Sequence, residues 1–231
     1  MDIGRAFTFI REDPRGADKL VIGVLLAFGV ALSIVTVIGW LIPLAIIYGY
    51  FVRLTRNVIA GEEYPLPEWE DWGGLLRDGI GAYLPQFLLG LALVPAALLL
   101  LLPGILLTAA DATTTRGIGI ALLAIAVALA QPLIVGHYAA TGSVGAALRV
   151  GDLAAMLRAN LVTYLIVALL GIVTNTISGL GILACGIGLP FTMFYAAMVN
   201  HHLYGQAYLR ARGASSVESA PAHLAPQPFP A

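Results

Sequence analysis

Charge is what this chain has least of. Asp, Glu, Lys and Arg make up 11% of its 231 residues, against roughly 25% in a soluble domain. A deficit of that size excludes an ordinary water-facing surface and points to lipid as solvent, as does a hydrophobic share of 59%. The net charge of −1 leaves no basic footprint and so excludes a nucleic-acid partner. The single cysteine, Cys185, lies in an apolar run and can close no internal disulfide, so it carries no information on redox compartment. No cleavable leader is expected. The first apolar stretch follows about 19 residues of charged sequence, longer than a typical leader allows, and no A-x-A site comes after it.

Long apolar runs are what the chain does have. They cover about 20–59, 83–109, 117–140, 159–178 and 182–209. A spanning helix needs about 20 apolar residues, and inside lipid every backbone polar group must be satisfied locally, so runs this long read as helices. The first run is long enough for two helices, with Gly39-Trp40-Leu41-Ile42-Pro43 as the turn between them; Ser178-Gly179-Leu180-Gly181 separates the last two runs. The expected fold is an all-α membrane protein of six transmembrane helices arranged as three helical hairpins, each preceded by an interfacial amphipathic helix. The short leading segments are 3–12, 68–80 and 143–157. A prolyl residue followed five positions later by a ring recurs in the second helix of each pair: Pro43 to Tyr48, Pro132 to His137 and Pro190 to Tyr195. These features outline repeat units at 3–59, 68–140 and 143–209 within one membrane domain, 1–212. All three units begin on the same side, which makes them parallel rather than inverted repeats. Residues 213–231, rich in Ala, Pro and Ser, cannot bury enough surface to offset their ordering entropy and read as a disordered cytoplasmic tail.

The basic residues orient the chain. Arg5, Arg11, Arg15, Lys19, Arg53, Arg56, Arg77, Arg149, Arg158, Arg210 and Arg212 fall on one side of the expected spans, and Arg116 alone falls on the other. Cytoplasmic loops carry the excess of Lys and Arg, so a multi-pass protein of the cell membrane with both termini in the cytoplasm is expected.

Residues 61–72, GEEYPLPEWEDW, concentrate carboxylates in an otherwise apolar chain. Pro67 suits the first turn of a helix beginning near Glu68, where the helix dipole favours Glu68, Glu70 and Asp71. Trp69, Trp72, Leu76, Ile80 and Tyr83 recur at helical spacing, and Trp69, Trp72 and Tyr83 are expected as interfacial anchors at headgroup depth. Because the polar face is acidic, it is expected to pair with the chain's own basic loops; Arg53, Arg56, Glu68 and Asp71 are the candidate docking or ion-pair residues. Two competing readings of the same carboxylates are a Mg2+ or Ca2+ site and a docking point for a partner. No EF-hand spacing is present, and no metal or other cofactor is expected.

The same region carries a family resemblance. Gly49, Tyr50, Arg53, Arg56 and Asn57 at the end of the second span, Gly61, and the turn Leu66-Pro67-x-Trp69-x-Asp71-Trp72 resemble the integral-membrane family catalogued as domain of unknown function 4013. The match is sharp over about 49–80 and extends in layout over nearly the whole chain. It implies a multispanning prokaryotic membrane protein and supplies no catalytic residue.

Candidate bundle-interior polar residues are Tyr48, Gln131, His137, Thr192 and Tyr195; Thr163 and Asn175 are further polar groups within or near spans. Asn200, His201 and His202 read as the polar end of the last span, and adjacent helical positions diverge by about 100°, which disfavours joint chelation by the two histidines. No ionisable residue falls near the middle of an expected span, which argues against a proton-driven pump. Three functions remain. The first is a non-enzymatic scaffold or adaptor bound to the lipid bilayer, with a protein partner at its cytoplasmic loops. The second is a channel or transporter for a neutral or weakly polar solute, with a cavity lined by Tyr48, Gln131, His137, Thr192 and Tyr195. A lipid-acting enzyme would need a nucleophile, base or metal at the interface, and no such constellation is present in the sequence.

Overall fold

The computed structural model describes residues 1–32, 39–106, 109–183 and 188–218, and among these every regular element is helical. In chain order they are α1 (Ile3–Glu12), α2 (Gly16–Leu32), α3 (Leu41–Ala60), α4 (Trp72–Leu106), α5 (Ala109–Thr141), α6 (Val144–Ala147), α7 (Val150–Ala159), α8 (Leu161–Gly179), a 3-10 turn (Leu180–Leu183) and α9 (Gly188–Glu218). Cys185 and residues 219–231 lie outside the described set.

Local chemistry explains several boundaries. The Asp2 carboxylate accepts from the Arg5 amide at 2.9 Å and caps α1, whose Ala6, Phe9 and Ile10 share one buried face. Asp13 then closes a turn by accepting from the Arg15 amide at 2.8 Å. Gly61, at φ 77°, ends α3 in the left-handed conformation, and its N–H and that of Glu62 return to the last carbonyls of the helix. Pro43 and Pro190 sit in the first turns of α3 and α9, where a missing N–H is harmless; of the three recurring prolines only Pro132 lies inside a helix. The shared Pro spacing therefore marks two helix starts and one interior position, not three equivalent kinks.

Two helices form the centre. α3 and α9 pack on each other, α3 also contacts α2, α4 and α5, and α9 contacts α1, α2, α5, α7 and α8. Tyr50, Val52, Leu54 and Thr55 of α3 and Val199, Leu203, Ala207 and Ala211 of α9 are all but fully buried. The α3–α4 crossing is close enough that a Cβ on Gly49 would strike the Leu75 carbonyl oxygen, and one on Gly79 the Ala45 carbonyl oxygen. Such backbone approach is how helices gain packing where lipid gives no hydrophobic drive between them.

The peripheral helices are the apolar ones. Among the described residues three stretches are long and apolar enough to cross a membrane: 72–99, 113–141 and 161–183. Large apolar side chains such as Leu91, Leu98, Ile120, Ile125, Leu169 and Ile172 on them are exposed, as expected of surfaces that face acyl chains.

Three expectations shift at the element level. The helix expected from near Glu68 begins at Trp72, because 65–71 is held in a non-helical course by its buried Leu66 and Trp69. From Trp72 it runs without a break into the third apolar run, as one helix to Leu106. The segment 143–157 is two helices, α6 and α7, and α9 continues past Arg212 to Glu218.

Candidate functional site

Two constructions stand out, one charged and one polar but uncharged. The charged one gathers the start of α2, the end of α3, the start of α4 and the end of α5. Lys19 Nζ meets three acceptors: Asp13 Oδ2 at 2.9 Å, Glu68 Oε1 at 2.9 Å and the Leu66 carbonyl at 3.0 Å. An ammonium has three N–H donors, so all three are used. Arg15 also reaches Glu68, at 2.6 Å. Trp69 lies flat on Tyr50, ring centroids 4.1 Å apart and planes 9° apart, and its Nε1–H donates to the Lys19 carbonyl at 3.0 Å. The acidic stretch is thus a strap across the end of the bundle. Asn57 Nδ2 donates to the Pro65 carbonyl at 3.0 Å, and Arg5 Nη2 to the Glu63 carbonyl at 3.0 Å, fixing the strap's upstream half.

Beside it, Arg53 pairs with Asp71 and Asp78, each at 2.8 Å, and Arg56 reaches Asp78 at 3.5 Å and the Ala139 carbonyl at 3.1 Å. All four candidate ion-pair residues, Arg53, Arg56, Glu68 and Asp71, lie in this charged layer, in two adjoining networks joined by the strap. The hydrogen bond from Arg53 and then that from the Gly74 amide hold the Asp71 carboxyl below the usual carboxylate range. A carboxyl whose folded value is depressed adds stability above its unfolded value and loses it as pH falls through the folded one. Asp71 is exposed and solvent screens it, so Asp71→Asn is expected to lower the unfolding temperature only slightly, with the gap to wild type closing in acid. Asp78, 13% exposed and shared by two guanidinium groups, is the larger contributor: Asp78→Asn should cost about 1–3 kcal/mol. Equal losses from the two variants in thermal unfolding would contradict this ranking.

The anchors do not act alike. Trp69 is buried at 7% exposure among Tyr50, Phe194 and Trp72, whereas Trp72 is 42% exposed. Tyr83 is partly buried and stacks on Tyr48 at 4.4 Å. Trp69 therefore sits inside the protein rather than at a lipid-facing surface, drawn there by Tyr50 and the Lys19 carbonyl.

The uncharged construction is a chamber of about 350 Å3 lined by Gln131 of α5, Asn175 and Ser178 of α8, and Met193, Ala197, Asn200, His201 and Tyr204 of α9. Asn200 Oδ1 accepts from the Thr174 hydroxyl at 2.7 Å. His201 Nδ1 lies 3.1 Å from the Thr55 hydroxyl, and its ring is packed by Phe51, Tyr48 and Tyr204. Gln131 Nε2 donates to Gln86 Oε1 at 3.0 Å, and Gln86 Nε2 is buried without a partner among the described residues.

The five expected interior residues divide. Gln131 alone lines the chamber. Tyr48 stands behind it, edge-on to His201, with its hydroxyl buried and unpartnered among the described residues. Thr192 donates to the Ser178 carbonyl at 2.6 Å and ties the start of α9 to the end of α8. Tyr195 donates to the Phe7 carbonyl at 2.8 Å, tying α9 to α1. His137 lies 6.0 Å from Tyr208, and its Nδ1 is buried without a partner among the described residues. Among the described residues, neither the chamber nor the neighbouring groove is lined by all five. Asn200 and His201, read from sequence as a polar helix end, lie instead near the middle of α9 and are buried. The signal was present: Asn200-His201-His202 is the longest polar run inside 182–209. The two histidines part company, as His202 stacks on Phe9 at 4.5 Å and meets Gln206 at 3.1 Å. Among the described residues no three of His, Cys, Asp and Glu gather as a metal would require.

The charged strap at 61–72 and the span end before it were the carriers of the resemblance noted above. The family described as a protein of unknown function (DUF4013) matches residues 28–187. The chain belongs to this family. No curated protein and no solved structure matches this DUF4013 protein. The matched range takes in α3, the strap, α4, α5 and α8, and so covers the Arg53 network and the α5–α8 side of the chamber.

Proposed function

We propose that this DUF4013 protein is a non-enzymatic scaffold or adaptor of the cell membrane, spanning it six times as three hairpins with both termini cytoplasmic, and docking a protein partner on its charged end. The single observation behind this is the charged layer. Arg5, Arg15, Lys19, Arg53 and Arg56 meet Asp13, Glu68, Asp71, Asp78 and the strap at one end of the helices. α1 is tied to that end of α9 through the Asp2 amide and Gln206 Oε1, 2.7 Å apart. An end that gathers this many of the chain's Lys and Arg residues favours the cytoplasmic side, whatever the acids beside them. α3 and α9 are less apolar than α4, α5 and α8 because they are the shielded centre, where polar side chains meet protein rather than lipid. At 17 and 20 residues, α2 and α3 run about 26 and 30 Å, close to the hydrocarbon thickness of a bilayer.

The charged layer leaves Glu62, Glu63 and Glu70 exposed on the strap. Reversing these three charges to Lys should abolish co-purification of the cytoplasmic partner from cross-linked membranes while leaving the unfolding temperature within a few degrees. Removing 219–231 tests the tail in the same way. If neither change alters any association, the scaffold reading is wrong. Reporter fusions at the two termini and between α4 and α5 test the span arrangement separately, with termini inside and the α4–α5 connection outside expected.

A second reading, passage or binding of a neutral solute, is favoured by one observation: the chamber is polar and, among the described residues, its lining is uncharged.

A further inference from the structure

The chamber does not end at its own walls. Gln131, Asn175 and Tyr204 also line a larger groove of about 760 Å3 between α5 and α8. Beyond those three the groove is almost wholly apolar, with Leu123, Val127, Val167, Ala168 and Ile172 on its sides. Ile120 and Ile172 are more than half exposed, so the groove opens sideways, on the faces of two helices apolar enough to cross a membrane. Both volumes fall within about 300–1,000 Å3, the range of small-molecule sites.

We propose that chamber and groove together hold one neutral, hydroxyl-bearing lipid, its head among Gln131, Asn175 and Asn200 and its hydrocarbon chain along α5 and α8. The head must be neutral. Among the described residues no cation lines the chamber, and a phosphate there would be a buried, uncompensated charge. The head must also hydrogen-bond in both directions. Side-chain amides offer a carbonyl acceptor and N–H donors together, a set that hydroxyl groups match and an ester alone does not. The tail must be apolar because, apart from Gln131, Asn175, Tyr204 and Thr176, the groove offers a hydrocarbon chain little but carbon. The inference rests on the second reading above and on α5 and α8 facing lipid; it does not depend on the scaffold role.

The test uses the whole protein in nanodiscs of phosphatidylcholine, with native mass spectrometry and a titration of three probes: monoolein, methyl oleate (the same chain without hydroxyls) and an oleoyl lysophosphatidylglycerol. One bound monoolein is expected, at least tenfold tighter than either other probe. Two variants act on separate halves. Gln131→Leu removes a head partner, and Ala168→Phe fills the groove from a partly exposed position. Each should weaken monoolein at least tenfold; Ala168→Phe should leave the unfolding temperature unchanged, whereas Gln131→Leu, which also takes the hydrogen bond from Gln86 Oε1, should lower it slightly. Equal binding of monoolein and methyl oleate, or full monoolein binding by Ala168→Phe, overturns the proposal. If fusions place the α4–α5 connection inside the cell, the span reading has failed instead, and the two failures are told apart.

Discussion

Replacing Lys19 with Met is expected to cost about 3–5 kcal/mol, the largest loss from any single charge in the chain. Its side chain is 7% exposed and that of its partner Asp13 only 3%. Taking away the ammonium leaves a buried carboxylate without its cation and the Leu66 carbonyl without its donor. Glu68, 38% exposed and still held by Arg15, suffers less. Lys19→Arg should fail as well. Three acceptors around one nitrogen suit a compact ammonium, and a planar guanidinium presents its donors as a fork. The double variant Asp13→Leu, Lys19→Met should be more stable than Lys19→Met alone, since the unpaired charge is then gone. Reversible unfolding in mixed micelles measures all three. A loss below about 1 kcal/mol for Lys19→Met would mean that water reaches the pair and solvates it.

The sequence had a sign of this that composition conceals. Lys19 is the only lysine among the basic residues, all others being Arg. Its place before the first apolar run made it look like one more topological charge. What could not be seen was that residues 47 and 49 positions further on return to it. Helix periodicity reports contacts three or four residues away; the strap reports nothing periodic, so its fold-back lies outside that signal. The apolar runs were legible because lipid leaves the backbone one solution over such lengths. α8 follows its run within two residues, while α4 and α5 end close to theirs but begin well before them, at Trp72 and Ala109. The Arg53–Asp71 pair was within reach of sequence because both residues stand out against an apolar background. The chamber was not. Gln131 and Asn175 could be picked as polar residues in spans, but Asn200 and His201 join them only through the packing of α9 at the bundle's centre.

The position of the strap sets up the second large effect, at Trp69. If Trp69 and Trp72 were both anchors at headgroup depth, their removal would cost alike and little. The structure separates them. Trp69 is stacked flat on Tyr50, touches Phe194, and gives its Nε1–H to the Lys19 carbonyl. Trp69→Ala should therefore remove a large aromatic body from a closed site, costing about 3–5 kcal/mol. Trp72, 42% exposed on the first turn of α4, should cost under about 1 kcal/mol on truncation. Trp69→Phe keeps part of the stack but loses the hydrogen bond, so it should fall between wild type and Trp69→Ala. Fluorescence gives an independent check. The chain has three tryptophans, Trp40, Trp69 and Trp72, and variants keeping one at a time should show Trp72 open to an aqueous quencher and Trp69 closed to it. Matching accessibilities would return Trp69 to the membrane surface and detach the strap from the bundle. Lys19→Met would then lose its rationale too, because the Leu66 carbonyl and Glu68 reach Lys19 only while Trp69 holds the strap down. The two results stand or fall together, and the Trp69→Ala, Lys19→Met double variant should lose less than the sum of the single losses, as residues sharing one contact network do.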